Sequence, residues 1–269
     1  MPAPFPKSRR AFTLAEVSVA AALTLVMVTL TLGAVLHIAG INARTDIKDQ
    51  LDGDFRKVVN VLMENGRVAN AFRIYRSFEK HAASANLSEG DTAGTGESGD
   101  LVVFAFHTTA TDLLAANPNA VPAGKPVTTP APRIRRILGV YRDSSYNNGF
   151  GAIRWFDSDR HAWGQSFSSS KPAPAGTPIE TLLPDTAAKT KFPVLAEMTL
   201  GAIGSGTTAS ADSSIFYNIN GNTFTVNGLI YKKRTTSGGI ASGGSATGPG
   251  ATTRYDAKNI FNITITPRS

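Results

Sequence analysis

Glu16 stands alone at the mouth of a long apolar run: from Val17 to Ala43 no residue carries a formal charge, and His37 is the only titratable side chain. An isolated carboxylate at the edge of hydrocarbon costs a few kcal/mol unless it is protonated, reaches the head groups or meets a cation. Lys7, Arg9 and Arg10 precede it, but such long basic side chains belong among lipid head groups. A chain cut between Ala11 and Phe12 would create a new α-ammonium four residues before Glu16. On one helix those two groups are a turn apart, and between neighbouring helices the same attraction would set the stagger of an assembly.

Other residues with chemical potential form no pattern. His37, His81, His107 and His161 are far apart and fit no HExxH or related spacing, so none is expected to hold a metal. Asp157-Ser158-Asp159 offers two carboxylates to calcium, but no further ligand series follows, and a polar turn is the expectation. Arg154, Trp155, Phe156, Arg160 and Trp163 could stack on nucleotides or sugars; Trp155 and Phe156 close an expected strand, which assigns them to a core. There is no GxSxG, phosphate loop or dinucleotide fingerprint. With zero cysteines, disulfides, thiolate zinc sites and cysteine nucleophiles are excluded. The expectation is a protein without catalytic residues, metal or cofactor, and not an enzyme.

The elements that must position Glu16 follow from the apolar run. Val17 to Ile38 is rich in Ala, Leu, Val and Thr. At about 1.5 Å per residue it is long enough as a helix to cross the roughly 30 Å of bilayer hydrocarbon once. A secretory signal has a shorter apolar region and a small-residue cleavage site; Ile41-Asn42-Ala43 is a poor version of one. The basic cluster before the span should stay cytoplasmic, leaving everything after Asn42 on the far side. The chain of 269 residues carries a formal charge of +7, and loss of Lys7, Arg9 and Arg10 from its 27 basic residues would leave 24 against 20 acidic, an ordinary surface. Nucleic acid is therefore not expected as a partner.

Beyond the span, Ile47, Leu51, Phe55, Val58, Val59 and Leu62 recur at intervals of three and four, an amphipathic helix over 44–65 with Glu64-Asn65-Gly66 as its stop. Phe12 to Glu64 would then be one rod of about 80 Å. The pattern next turns to strands: Leu101–Phe106 as a buried strand, Ile137–Tyr141 and Ala152–Phe156 as a hairpin around Ser144–Gly151. Ile215–Ile219 and Asn222–Val226 bracket Asn220-Gly221, a strong hairpin signal. Asn227-Gly228 is expected to turn into Leu229–Lys233, and Ile260–Ile265 to end the chain as a strand. Stretches 84–99, 117–132, 168–178 and 235–253, rich in Gly, Ser, Thr, Ala or Pro, are expected as loops or disordered segments. The fold class expected is α+β, a long N-terminal helix packed on a mainly antiparallel sheet.

Arg9-Arg10-Ala11-Phe12-Thr13-Leu14-Ala15-Glu16-Val17, followed at once by the apolar span, resembles the N-terminal processing motif of type IV prepilins and of the pseudopilins of type II secretion systems. The resemblance covers about 30 residues and implies a pilin-like fold, with residues 1–11 a leader, 12–43 a transmembrane and assembly helix, and 44–269 a periplasmic head domain. It implies that a membrane prepilin peptidase cuts between Ala11 and Phe12, that Phe12 is methylated, and that Glu16 guides docking to other pilin or pseudopilin subunits in the inner membrane. The family usually carries Gly before the cut, where this chain has Ala11, and Gly33 falls where many relatives have a helix-loosening Pro. Removal of 11 of the 269 residues leaves 258, large beside the major fibre subunits of this family, which points to a minor subunit. The alternative function is a membrane-anchored β-rich binding module, for adhesion, DNA or secreted substrates.

Overall fold

The computed structural model describes residues 13–78, 87–108, 132–143, 151–201, 214–232 and 257–267. The chain divides into two compact units, Met1–Asp46 and Ile47–Ser269. One helix, α1 (Leu14–Val68), contributes to both. In the first unit its apolar side chains are exposed throughout, Leu23, Leu25, Val26, Met27 and Leu30 among them. Among the described residues α1 is the helix long and apolar enough to cross a membrane.

In the second unit α1 changes character. Leu51, Val58 and Leu62 are buried, with Phe55, Val61 and Met63 packed beside them. Their spacing of seven and four places them on one stripe, and that stripe lies against one face of a sheet. The helix does not stop at Gly66 as its sequence suggested but runs to Val68. Gly66 has a packing reason instead: a Cβ there would come within 2.6 Å of Ile265 Cγ2 and 3.4 Å of the Phe104 ring. The missing side chain lets the last turn of the helix lie directly on the sheet.

The sheet is antiparallel at every pairing among the described residues. It comprises β1 (Ala71–Tyr75), β2 (Ser98–Gly99), β3 (Leu101–His107), β4 (Ile134–Asp143), β5 (Gly151–Asp157), β6 (Val194–Gly201), β7 (Phe216–Asn218), β8 (Phe224–Lys232) and β9 (Ala257–Ile265). The order is β1-β3-β4-β5-β6-β8-β7-β2, with β9 also paired to β8. The short β2 turns back toward β1: the Asp100 N–H donates to the Tyr75 carbonyl and the Ala93 N–H to the Ile74 carbonyl. α+β is therefore the class, as expected.

The strands β3, β4 and β5 have two buried faces. Val102, Phe104, Leu138, Val140 and Ile153 join the helix-side core. Leu101, Val103, Ala105, Ile137, Tyr141 and Phe156 point the other way into a second core with Phe78, Phe167, Ala173, Ile179, Leu182 and Phe192. A strand covered on both sides reads as a continuous apolar run rather than an alternation, which is why Leu101–Phe106 was legible. The second layer was not. It is built largely from the segment after β5, including the stretch 168–178 expected as a loop, which is pinned where the Ala173 N–H donates to the Ile134 carbonyl at 2.8 Å. Residues 87–99, inside another expected loop, contain a 3-10 turn and β2.

One turn expectation is corrected. Asn227-Gly228 does not reverse the chain; β8 runs straight through it, with Gly228 facing Gly201 of β6 on one side and Phe261 of β9 on the other. Two ladders outweigh a local preference of Asn-Gly for turns. At Asn220-Gly221 the hairpin does form: Gly221 takes φ +80, and its N–H donates to Asn218 Oδ1 at 2.8 Å. The expected turn Ser144–Gly151 lies outside the described residues apart from Gly151, although β4 and β5 pair antiparallel as that turn requires. The stretches 117–131 and 235–253 also lie outside them, as does the expected leader.

Candidate functional site

The N-terminal end of α1 is closed by the side chain that the sequence singles out. Thr13 stands immediately before the first helical residue, and its hydroxyl accepts the Glu16 backbone N–H at 3.3 Å. Glu16 Oε2 in turn accepts the Thr13 backbone N–H at 2.9 Å and the Thr13 hydroxyl at 3.0 Å. This reciprocal Thr-x-x-Glu arrangement is a capping box, in which two amides left over at a helix start find partners. The negative charge also lies at the favourable end of the helix dipole. All three bonds end on Oε2 or the hydroxyl, so Oε1 keeps room for a donor from outside the helix. Ala11 and Phe12, expected to flank a cut, lie outside the described residues. Thr13 was missed in the sequence, although a Thr three residues before a Glu at the head of an apolar run is the signal that reveals such a box.

The rest of the exposed segment hides its polarity. Ser18 donates to the Leu14 carbonyl at 2.9 Å and Thr24 to the Ala20 carbonyl at 2.7 Å. Thr29 donates to the carbonyls of Leu25 and Val26 at 3.0 and 2.8 Å, and Thr31 to that of Met27. Each of the four hydroxyls between Val17 and Ile38 is thereby satisfied by its own helix. Hydrocarbon demands this of any polar group it surrounds. Glu16 and His37 are the side chains of this stretch that still present polar atoms outward.

The other candidates are in the head. Asp157 is fully buried, and Arg136 grips it with Nε to Oδ1 at 2.9 Å and Nη2 to Oδ2 at 2.8 Å. Arg160 Nε approaches Oδ2 at 3.6 Å, and Asp159 Oδ2 accepts the Ser169 hydroxyl. The two carboxylates thus serve a structural turn; among the described residues no group of three or more His, Asp or Glu could hold a metal. Arg136 lies on β4, 21 residues before Asp157, so its role depends on strand register.

Of the aromatic group only Phe156 is core; Trp155 and Trp163 are half-buried and pack against the two cores. Phe156 is fully buried and meets Trp163 edge-on at 5.4 Å. Arg154 donates to Asp143 at 3.0 Å and to the Phe192 carbonyl at 2.7 Å, while Arg160 stacks over Trp155 at 5.4 Å. His161 Nδ1 accepts the Asp157 backbone N–H at 3.1 Å, and the ring lies edge-on to Trp155 at 5.1 Å. Burial pushes the His161 imidazole below its ordinary pKa, against the pull of Asp157 and together with the push of Arg160. Burial alone lowers that of His107.

A buried acid, Glu180, accepts the Tyr75 hydroxyl at 2.8 Å and pairs with Arg73, fastening a 3-10 turn to β1. Burial raises the Glu180 pKa, but its own backbone amide, Tyr75 and Arg73 together bring it below the usual carboxylate value. Tyr75 is driven far up, first by burial and then by the Glu180 carboxylate. The cluster holds one layer on another.

Comparison with protein families, curated proteins and solved structures gives no match. The site that remains is therefore an exposed apolar helix with a capped acid at its mouth.

Proposed function

We propose that the chain is a structural subunit of a type IV pilus or of a type II secretion pseudopilus. It inserts once in the inner membrane, is cut by prepilin peptidase between Ala11 and Phe12, is methylated at Phe12 and assembles through its N-terminal helix. The head lies on the periplasmic side. Glu16 docks the helix to other subunits by meeting an α-ammonium, and Ala20, Ala21, Ala22, Gly33 and Ala34 let neighbouring helices approach closely. In that setting packing and hydrogen bonds hold helices together, because lipid is as apolar as the side chains it would replace.

The observation that carries this reading is the helix surface. Its apolar side chains are exposed from Leu14 to Ile41, its hydroxyls are turned onto their own backbone, and its acid is held at the entrance in a fixed geometry. A surface of that kind is stable in lipid or against copies of itself, and costly in water. Mass spectrometry of the mature N-terminus, from a strain that supplies its native peptidase, tests the proposal. A chain starting at methylated Phe12 is expected. A chain retaining residues 1–11, or starting near Thr45, overturns it.

A further inference from the structure

We propose that Asn220 is a site of spontaneous covalent modification: the hairpin between β7 and β8 holds its carboxamide ready to exchange ammonia for water, giving aspartate and isoaspartate. The inference concerns the head alone and stands apart from the fibre reading.

The chain has Asn-Gly pairs at 65–66, 148–149, 220–221 and 227–228. Glycine after asparagine favours this chemistry, because the attacking amide carries no side chain to crowd the ring that forms. The pair at 148–149 lies outside the described residues. Two of the others are locked. Asn65 is inside α1, where its Nδ2 donates to the Val61 carbonyl at 2.8 Å and its Oδ1 accepts Arg136 Nη2 at 3.0 Å. Asn227 is inside β8: its N–H donates to the Ile215 carbonyl at 2.8 Å, and Gly228 is held between Gly201 and Phe261. Turning either peptide onto its own side chain would break a helix turn or a ladder.

Asn220 differs on each count. It is exposed, as are Gly221 and Asn222. Its Oδ1 accepts the Asn222 backbone N–H at 3.1 Å. That bond folds the carboxamide back along the chain as an Asx turn and keeps Cγ beside the intervening Gly221 nitrogen. The same N–H donates to the oxygen on which charge develops when Cγ is attacked. The Gly221 N–H donates to Asn218 Oδ1 at 2.8 Å, but this bond lies in the peptide plane, whereas the nitrogen attacks from its face. Around Gly221 there is open space, since a Cβ there would meet nothing within 4 Å.

The Gly221 nitrogen gives its proton to solvent and bonds to Asn220 Cγ. The Cγ–Nδ2 bond breaks, and Nδ2 leaves as ammonia with a proton from water. The cyclic imide then takes up one water. Opening at Cγ leaves aspartate; opening at the backbone carbonyl carbon leaves isoaspartate, in which the chain runs through the side chain. The second product inserts an extra backbone atom between Ile219 and Thr223, whose N–H to carbonyl bond at 2.9 Å closes the hairpin.

Incubation of the full-length protein in detergent at neutral pH, followed by peptide mass spectrometry and enzymatic methylation of isoaspartate, tests this. In the folded protein, conversion at Asn220 is expected to outpace that at Asn65 and Asn227 by at least about tenfold, the factor that even a modest local opening imposes. Unfolding in urea should erase the gap by speeding the two locked sites. Asn220→Gln, whose longer side chain closes a larger ring far more slowly, should remove the product from the hairpin peptide. Conversion at Asn65 or Asn227 as fast as at Asn220 in the folded chain overturns the proposal. A rate at Asn220 that rises on unfolding overturns it too, because the hairpin would then protect the residue.

Discussion

The two parts of α1 are made from similar residues and meet opposite fates. Between Leu14 and Ile41 the Leu and Val side chains lie open on every side of the helix. Between Ile47 and Val68 only a stripe is apolar, and Leu51, Val58 and Leu62 are buried against the sheet. The difference lies in arrangement: apolar residues all round require an apolar surrounding, whereas an apolar stripe opposite Asp52, Arg56 and Lys57 requires a core on one side and water on the other. The pattern changes within one element, and the change falls where the charges begin.

Removing the acid should have the largest effect. Glu16→Ala is expected to leave membrane insertion intact while co-isolation of two differently tagged subunits falls by about tenfold or more, since a docking charge in a poorly solvated place contributes more than 1.4 kcal/mol. Unchanged co-isolation would mean that the acid only caps the helix through Thr13 and takes no part in docking. Next comes a matched pair of truncations. Leu62→Ala should destabilise the head by about 2–5 kcal/mol in denaturant unfolding because it opens a cavity in a packed core. Leu25→Ala should leave head unfolding within about 0.5 kcal/mol of the parent. Equal effects would show that the two stretches are not distinct.

Two glycines sharpen the same contrast. Gly66→Ala pushes a methyl into Ile265 and should cost about 1–3 kcal/mol. A Cβ at Gly33 meets nothing within 4 Å, so Gly33→Ala should raise helix stability by up to about 1 kcal/mol. The smallest effect expected is on pH dependence. His161 and His107 have lowered pKa values in the folded head, so the unfolded chain binds their protons first. Stability should be full above the unfolded value of about 6.5 and fall as pH drops through the lower folded values. Glu180, also lowered, adds a loss of the same sign in the more acidic carboxylate range. Thermal melts from pH 7.5 to 5 should show the decline, and His161→Gln should flatten it; a profile rising toward pH 5 would contradict the assigned burial.

Several elements could be read directly. The apolar span, the amphipathic stripe beginning at Ile47, strand β3 and the Asn220-Gly221 hairpin each owe their form to residues adjacent in the chain, where period and turn chemistry act. β1 went unread because Ala71–Tyr75 is short and only Ala69 and Asn70 separate it from the helix. The Asn227-Gly228 turn was misread because local preference cannot count the strands that will lie on either side. The stop at Gly66 was misread for a related reason: the glycine answers to Phe104 and to Ile265, the latter nearly the whole head domain away in sequence.

The N-terminal site divides in the same way. Sequence alone determined that a single acid guards a long apolar helix, because charge and hydropathy are properties of consecutive residues. It also contained the Thr13 to Glu16 box, whose partners are one turn apart. Tertiary structure alone decided that Asp157 pairs with Arg136, that Glu180 fastens a second layer through Tyr75 and Arg73, and that β8 is sheathed by β6 and β9. Those outcomes depend on strand register and on which faces meet, and both are settled by the joint burial of segments that are distant along the chain.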